Sequence, residues 1–151
     1  MKLARIDIDS DSLASPSPEV EHERQVAMFD LIEKNSFKPE GGTAEKYDLR
    51  LAYEYGRLVF DVSGDGYTKK FMLSFTPLKP IMKDYAMICE SYYEALKNAT
   101  VGQIESIDMG RRGIHNDGAD LLTERLTGKI EIDHETARRL FTLIHALHLR
   151  G

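Results

Sequence analysis

Tryptophan is absent from this chain and cysteine occurs once, at Cys89. A single cysteine excludes an internal disulfide framework. No apolar run approaches the ~18 residues that a membrane-spanning helix needs. The opening segment MKLARIDIDSDS also lacks the apolar core of a secretory signal. These absences point to a cytoplasmic protein with no membrane partner. Positive charge is not in excess either: 20 Lys and Arg stand against 25 Asp and Glu, a formal net charge of -5. That balance argues against holding nucleic acid or an anionic membrane through overall charge. Walker loops, dinucleotide fingerprints and the Gly-x-Ser-x-Gly elbow are missing, and with them the strongest signatures of nucleotide, redox and serine-hydrolase chemistry. No cofactor is therefore expected.

What is present is an ordinary globular composition. Hydrophobic residues make up 42% of the 151 positions and charged residues 30%. A chain of this size can build one full core, so residues 1–151 are expected to form a single domain. KLARIDID alternates apolar and polar positions and reads as a short strand. Ser17, Pro18 and Glu19 look like a helix N-cap, a first-turn proline and a favourable early acid. The helix they start runs to about Asn35, with Val20, Ala27, Met28, Leu31 and Ile32 on its buried side. SFKPEGGTAEK then reads as a loop.

The clearest part is central. Tyr47, Leu49, Leu51 and Tyr53 alternate with polar residues, as do Leu58, Phe60 and Val62, then Phe71, Leu73 and Phe75. Three half-buried strands joined by tight turns make an antiparallel meander. The next segment places Ile81, Tyr85, Ile88, Tyr92 and Leu96 on one helical face, which the spacing predicts to lie across the sheet. Thr100 and Gln103 form a capping-box pair. Gly113 is positioned to end that helix in a left-handed conformation, and Asn116 or Asp117 to cap another that stops at Gly128. KIEID resembles RIDID and is expected to pair with it as an edge strand. Asp133 caps a last helix bearing Ala137, Leu140, Phe141, Ile144 and Leu147. The expected fold is α+β: an antiparallel sheet of three to five strands covered on one face by helices, with a helical C-terminal third.

The densest polar stretch is IDMGRRGIHNDGADLL. If its helix were continuous, Asp108, Arg111 or Arg112, and His115 would share a face. Two guanidiniums beside an imidazole could bind a phosphate or carboxylate, and His115 could exchange a proton near neutral pH. The glycines favour instead a broken turn, an Arg111–Asp120 loop in which Arg111 and Arg112 are candidate anion ligands and His115, Asp117 and Asp120 candidate catalytic groups. The alternative reading is structural: arginines paired to Asp108 and Glu105 at helical spacing in a helix–helix connection. Glu19–His22 and Glu131–His134 have the Glu-x-x-His spacing of di-iron bundles. They sit at the edges of helices rather than inside them, so no metal site is expected. The order helix, three strands, helix is shared with double-stranded RNA-binding domains, but PLKPIMKDY supplies only Lys79 and Lys83 as a basic cluster.

KDYAMICESYYEAL, QIESIDMGRRGIHNDG, EHERQVAMFDLIEKN, GRLVFDV and ARRLFTLIHALHLRG resemble, in the same order, segments of the bacterial uncharacterised protein family UPF0262. The resemblance implies a small bacterial protein and carries over no activity, substrate or catalytic residue. The leading expectation is a non-catalytic binding or regulatory protein, whose partner is a small anionic ligand or a protein, with oligomers allowed. The second is a hydrolase or other enzyme acting on a phosphorylated or carboxylated small molecule at the Arg111–Asp120 loop. Nucleic-acid binding stands a distant third.

Overall fold

The computed structural model describes residues 1–149. The elements run β1 (Lys2–Ile8), α1 (Pro18–Glu33), β2 (Phe37–Pro39), β3 (Lys46–Glu54), β4 (Arg57–Gly64) and β5 (Tyr67–Ser74). A 3-10 turn at Thr76–Leu78 leads into α2 (Lys79–Asn98), α3 (Val101–Arg125), β6 (Ile130–Ile132) and α4 (His134–Ala146). The fold is α+β, with the expected meander at its centre and a helical C-terminal part. Strands β3, β4 and β5 pair antiparallel in that order. The β3–β4 hairpin turns on Tyr55 and Gly56, both at positive φ, as a two-residue turn that matches strand twist requires.

One face of the sheet is apolar because the registers stack its alternating residues. Ile8, Leu51 and Phe60 lie side by side, and Phe60 is opposite Phe71. The other face is a charge lattice: Asp7, Arg50, Asp61 and Lys70 are successive cross-strand neighbours. Opposite charges at such positions stabilise pairing modestly and keep this face in water. The apolar face and the helices share one core cluster that includes Leu49, Leu51, Leu58 and Phe60 from the sheet and Leu140, Phe141, Leu143 and Ile144 from α4. Helix α4 is flanked by α1 on one side and α3 on the other.

Four expectations need correction. The RIDID segment does not pair with KIEID. Strand β1 adds to the edge of the meander parallel to β3, and α1 provides the crossover that a parallel pair needs. Strand β6 instead pairs antiparallel with β2, inside the segment expected to be a loop. Phe37 and Pro39 are buried opposite Ile132 and Ile130, and a proline is tolerated in so short an edge strand.

Helix α2 packs chiefly against α3, as one arm of a long helical hairpin, and not across the sheet. Tyr85 is buried, but its ring meets His115, Phe141 and His145 from α3 and α4. Leu96 is 52% exposed, along with Met87, Tyr93, Val101 and Met109 on the same hairpin. A periodic apolar stripe records amphipathicity, and here no described residue covers its far end.

The fourth correction concerns the polar stretch. Helix α3 is continuous through Gly110, Gly113 and Gly118, so there is no Arg111–Asp120 loop and no cap at Asn116 or Asp117. Those glycines have ordinary helical backbone; the left-handed glycine is Gly128, after the helix. Gly118 is needed for proximity instead. A Cβ there would lie 2.3 Å from Cε1 of Phe141, so its absence lets α3 and α4 cross closely.

Candidate functional site

The continuity of α3 brings Asp108, Arg111 and His115 onto its inner side, one turn apart, above the buried Gly118, Ala119 and Leu122. The thr-capped start of the helix is as expected: Thr100 accepts from the Gln103 backbone N–H and the Gln103 side chain accepts from the Thr100 N–H. From there the inner side changes from apolar to polar and back. This polar stripe faces α2 and α4.

Asp108 is its anchor. One carboxylate oxygen accepts from Arg111 Nε at 3.1 Å, and the other pairs with Arg112 Nη2 at 2.7 Å. The Arg111 hydrogen bond, and then the charges of both arginines, hold the Asp108 carboxyl below the usual carboxylate range. Arg111 also lies over the Tyr92 ring, 4.6 Å from its centroid, so the guanidinium is held between an aromatic face and an acid. Glu105 is exposed and is not one of the partners.

His115 is fixed just as firmly. Its Nε2 lies 2.9 Å from the Arg138 carbonyl and 2.9 Å from Thr142 Oγ1. A carbonyl only accepts, so Nε2 carries the proton and Nδ1 is the acceptor nitrogen. Burial pushes the imidazole pKa down, and the nearby Arg138 and Arg111 charges act in the same sense. His115 is therefore a neutral donor that ties α3 to α4. Its ring stacks on Tyr85 with centroids 5.3 Å apart. Tyr85 is pushed up to about 12, by burial first and then by the neighbouring Cys89 thiol. Burial likewise raises Cys89, which is half-buried against the core. A raised thiol pKa is the opposite of what a nucleophilic cysteine needs.

The remaining candidates lie elsewhere. Asp117 and Asp120 are exposed, on the outer side of α3, and Asp120 lies 3.5 Å from His134 Nδ1. Neither joins His115. Of the Glu-x-x-His pairs, Glu131 is an exposed strand residue and His134 opens α4. His145 and His148 flank Glu23 at 3.6 and 3.5 Å. Among the described residues, no three His, Cys, Asp or Glu side chains are grouped to hold a metal ion. Among the described residues, no helix is long and apolar enough to cross a membrane.

Sequence reasoning missed Arg24. It sits on the inner side of α1, 5% exposed, among Ala27 and Leu31. Its Nε and Nη2 donate to the carbonyls of Ala146 and Leu147 at 3.0 and 3.1 Å. These are carbonyls left free by the end of α4, and a cation there is doubly favourable. The available signal was position: Arg24 falls four and three residues before Met28 and Ala27, within the apolar stripe.

The model of the uncharacterised protein family UPF0262 matches residues 1–150. The chain belongs to that family. A UPF0262 protein of Phenylobacterium zucineum is 54% identical over 150 residues, covering 99% of this chain and 94% of the relative. One from Caulobacter vibrioides is 51% identical over 150 residues, with the same coverage. One from Maricaulis maris is 53% identical over 152 residues, covering 99% of this chain and 95% of the relative. No solved structure matches. The UPF0262 membership agrees with the resemblance carried by the helical hairpin and the last helix, and its description assigns neither an activity nor a ligand.

Proposed function

We propose that the protein is a non-catalytic binding or regulatory protein of the bacterial cytoplasm, with a small anionic ligand or a protein as partner. The observation that carries this reading is the internal commitment of Asp108, Arg111 and His115, beside an Arg112 that pairs with Asp108 but stays 68% exposed. Asp108 takes both Arg111 and Arg112, and His115 donates to the Arg138 backbone. An anion site needs guanidinium edges open to the ligand, and a general base must reach a substrate proton. Five cavities among the described residues have neither Arg111, Arg112 nor His115 in their walls. The stripe then serves as a brace joining α2, α3 and α4.

The test is a panel of phosphomonoesters and carboxylic esters, assayed with wild type and with His115→Gln, together with Arg112→Lys and Arg112→Ala. No turnover by wild type, and no change in anion binding with either Arg112 variant, is the expected result. Turnover that disappears in a folded His115→Gln variant would establish the competing enzyme reading.

A further inference from the structure

The connection between β1 and α1 closes over a cavity of about 570 Å³ that the polar stripe does not touch. Leu13 and Pro16 of that connection, Val20 and Arg24 of α1, Tyr53 of β3 and the segment after α4 form its wall. The chain has five more acidic than basic residues, yet among the described residues no Asp or Glu lines this cavity. On the other side of the same connection a second cavity, which Arg24 also borders, has Asp7 and Glu21 in its wall. The absence of acids is thus a property of one side.

Two groups in that wall lack what burial demands. Arg24 is 5% exposed, and its protein partners are two neutral carbonyls. No carboxylate among the described residues pairs with it. A buried cation ordinarily has a counter-charge. The end of α4 offers only a partial one, worth roughly half a charge. Nη1 of the same guanidinium has no acceptor among the described residues, so one donor edge is uncommitted. Tyr53 lines the same cavity, and its hydroxyl, buried just behind that wall, has no hydrogen-bond partner among the described residues. Its ring is held edge-on to Phe75, centroids 5.9 Å apart. A buried hydroxyl without a partner is a costly omission unless something supplies one.

We propose that this cavity binds a small monocarboxylate with an apolar body. The carboxylate meets the open edge of Arg24, a small rotation of the Tyr53 ring turns its hydroxyl to the same group, and the body lies on Leu13, Val20 and Leu149. A single guanidinium matches a single negative charge better than a phosphate dianion. The N-terminus of α1, opening on the same cavity at Ser17, favours the same sign. The cavity lies in the range usual for small-molecule sites. The proposal rests on the binding-protein reading only in giving it a ligand, and its test is independent of the polar stripe.

The probes are octanoate, octanol with nearly the same tail and no charge, and inorganic phosphate, titrated calorimetrically into the full chain. Arg24→Ala also removes the α4 cap, so two other variants decide the matter. Tyr53→Phe deletes a hydroxyl that makes no protein hydrogen bond and should not lower the unfolding temperature. Ser15→Glu sets a negative charge in the exposed part of the wall. Octanoate should bind, with octanol and phosphate weaker by about tenfold or more. Both variants should weaken octanoate by about tenfold or more, the range for a hydrogen bond to a charged group. No octanoate binding at millimolar concentration, equal binding of octanol or of phosphate, or wild-type affinity in both folded variants overturns the proposal. Ester turnover that depends on His115 would defeat the non-catalytic reading and leave this site standing.

Discussion

Two glycines in one helix should respond oppositely to the same substitution. Gly113 and Gly118 both lie inside α3, where glycine is less favourable than alanine by about 0.8–1.0 kcal/mol. At Gly113 an added Cβ would meet nothing within 4 Å, so Gly113→Ala should realise that gain, about 1 kcal/mol. For a chain of this length the unfolding temperature should rise by about 2–4 °C. At Gly118 the new Cβ would lie 2.3 and 2.4 Å from Cε1 and Cζ of Phe141, against an optimum of about 3.5–4.0 Å. Phe141 is fully buried and bounded by Tyr85 and His115, so its ring cannot swing away freely. Overpacking of this kind costs about 1–3 kcal/mol, and a shortfall above 1 Å belongs at the upper end. After the helix gain is subtracted, Gly118→Ala should lose about 2 kcal/mol. Urea unfolding of the two variants, read by circular dichroism, measures both. If Gly113→Ala is destabilised by 1 kcal/mol or so, Gly113 adopts a left-handed turn and α3 is broken there. If Gly118→Ala is as stable as Gly113→Ala, the close crossing of α3 and α4 is refuted.

Arg24→Ala should cost about 2–4 kcal/mol, because two charge-assisted bonds to the end of α4 are lost and their carbonyls stay buried. Arg24→Lys should recover only part of this in urea unfolding, since one ammonium does not reproduce a planar two-donor fork. His115 and His145 both have pKa values lowered mainly by burial, with Glu23 opposing the shift at His145. In the unfolded chain each takes up a proton near pH 6.5, before the folded form does. Stability should therefore be full above pH 6.5 and decline as pH falls through the folded values, and thermal melts across pH 5 to 8 should show that slope reduced in His115→Gln. A flat profile for wild type between those limits would contradict the buried, neutral imidazoles.

The meander was legible because its alternation is strict and its turns are short; Leu49, Phe60 and Phe71 fall where their parity puts them. The helix starts at Ser17, Thr100 and Asp133 were legible for a similar reason: each cap bonds locally, within three residues. Partners distant in sequence were not. Nothing local tells β1 to choose β3 over β6, or Phe37 to pair with Ile132. Gly118 was misread because a helix breaker and a close-contact residue are the same residue type, and only Phe141, distant in sequence, distinguishes them. The polar stripe was identified as a cluster, with Asp108 correctly paired to the arginines as its structural alternative. What remained hidden was the acceptor for His115, a backbone carbonyl on another helix.

The central claim is that His115 is a structural donor and not an acid–base group, and the ¹⁵N shifts of its ring nitrogens test that most directly. Across a pH titration of the folded protein, they should report a neutral imidazole with its proton on Nε2, Nδ1 unprotonated, and a midpoint below the ordinary histidine value of about 6.5. A proton on Nδ1 in the neutral form, or a midpoint above the ordinary value, would contradict it and return His115 to the list of groups available for chemistry.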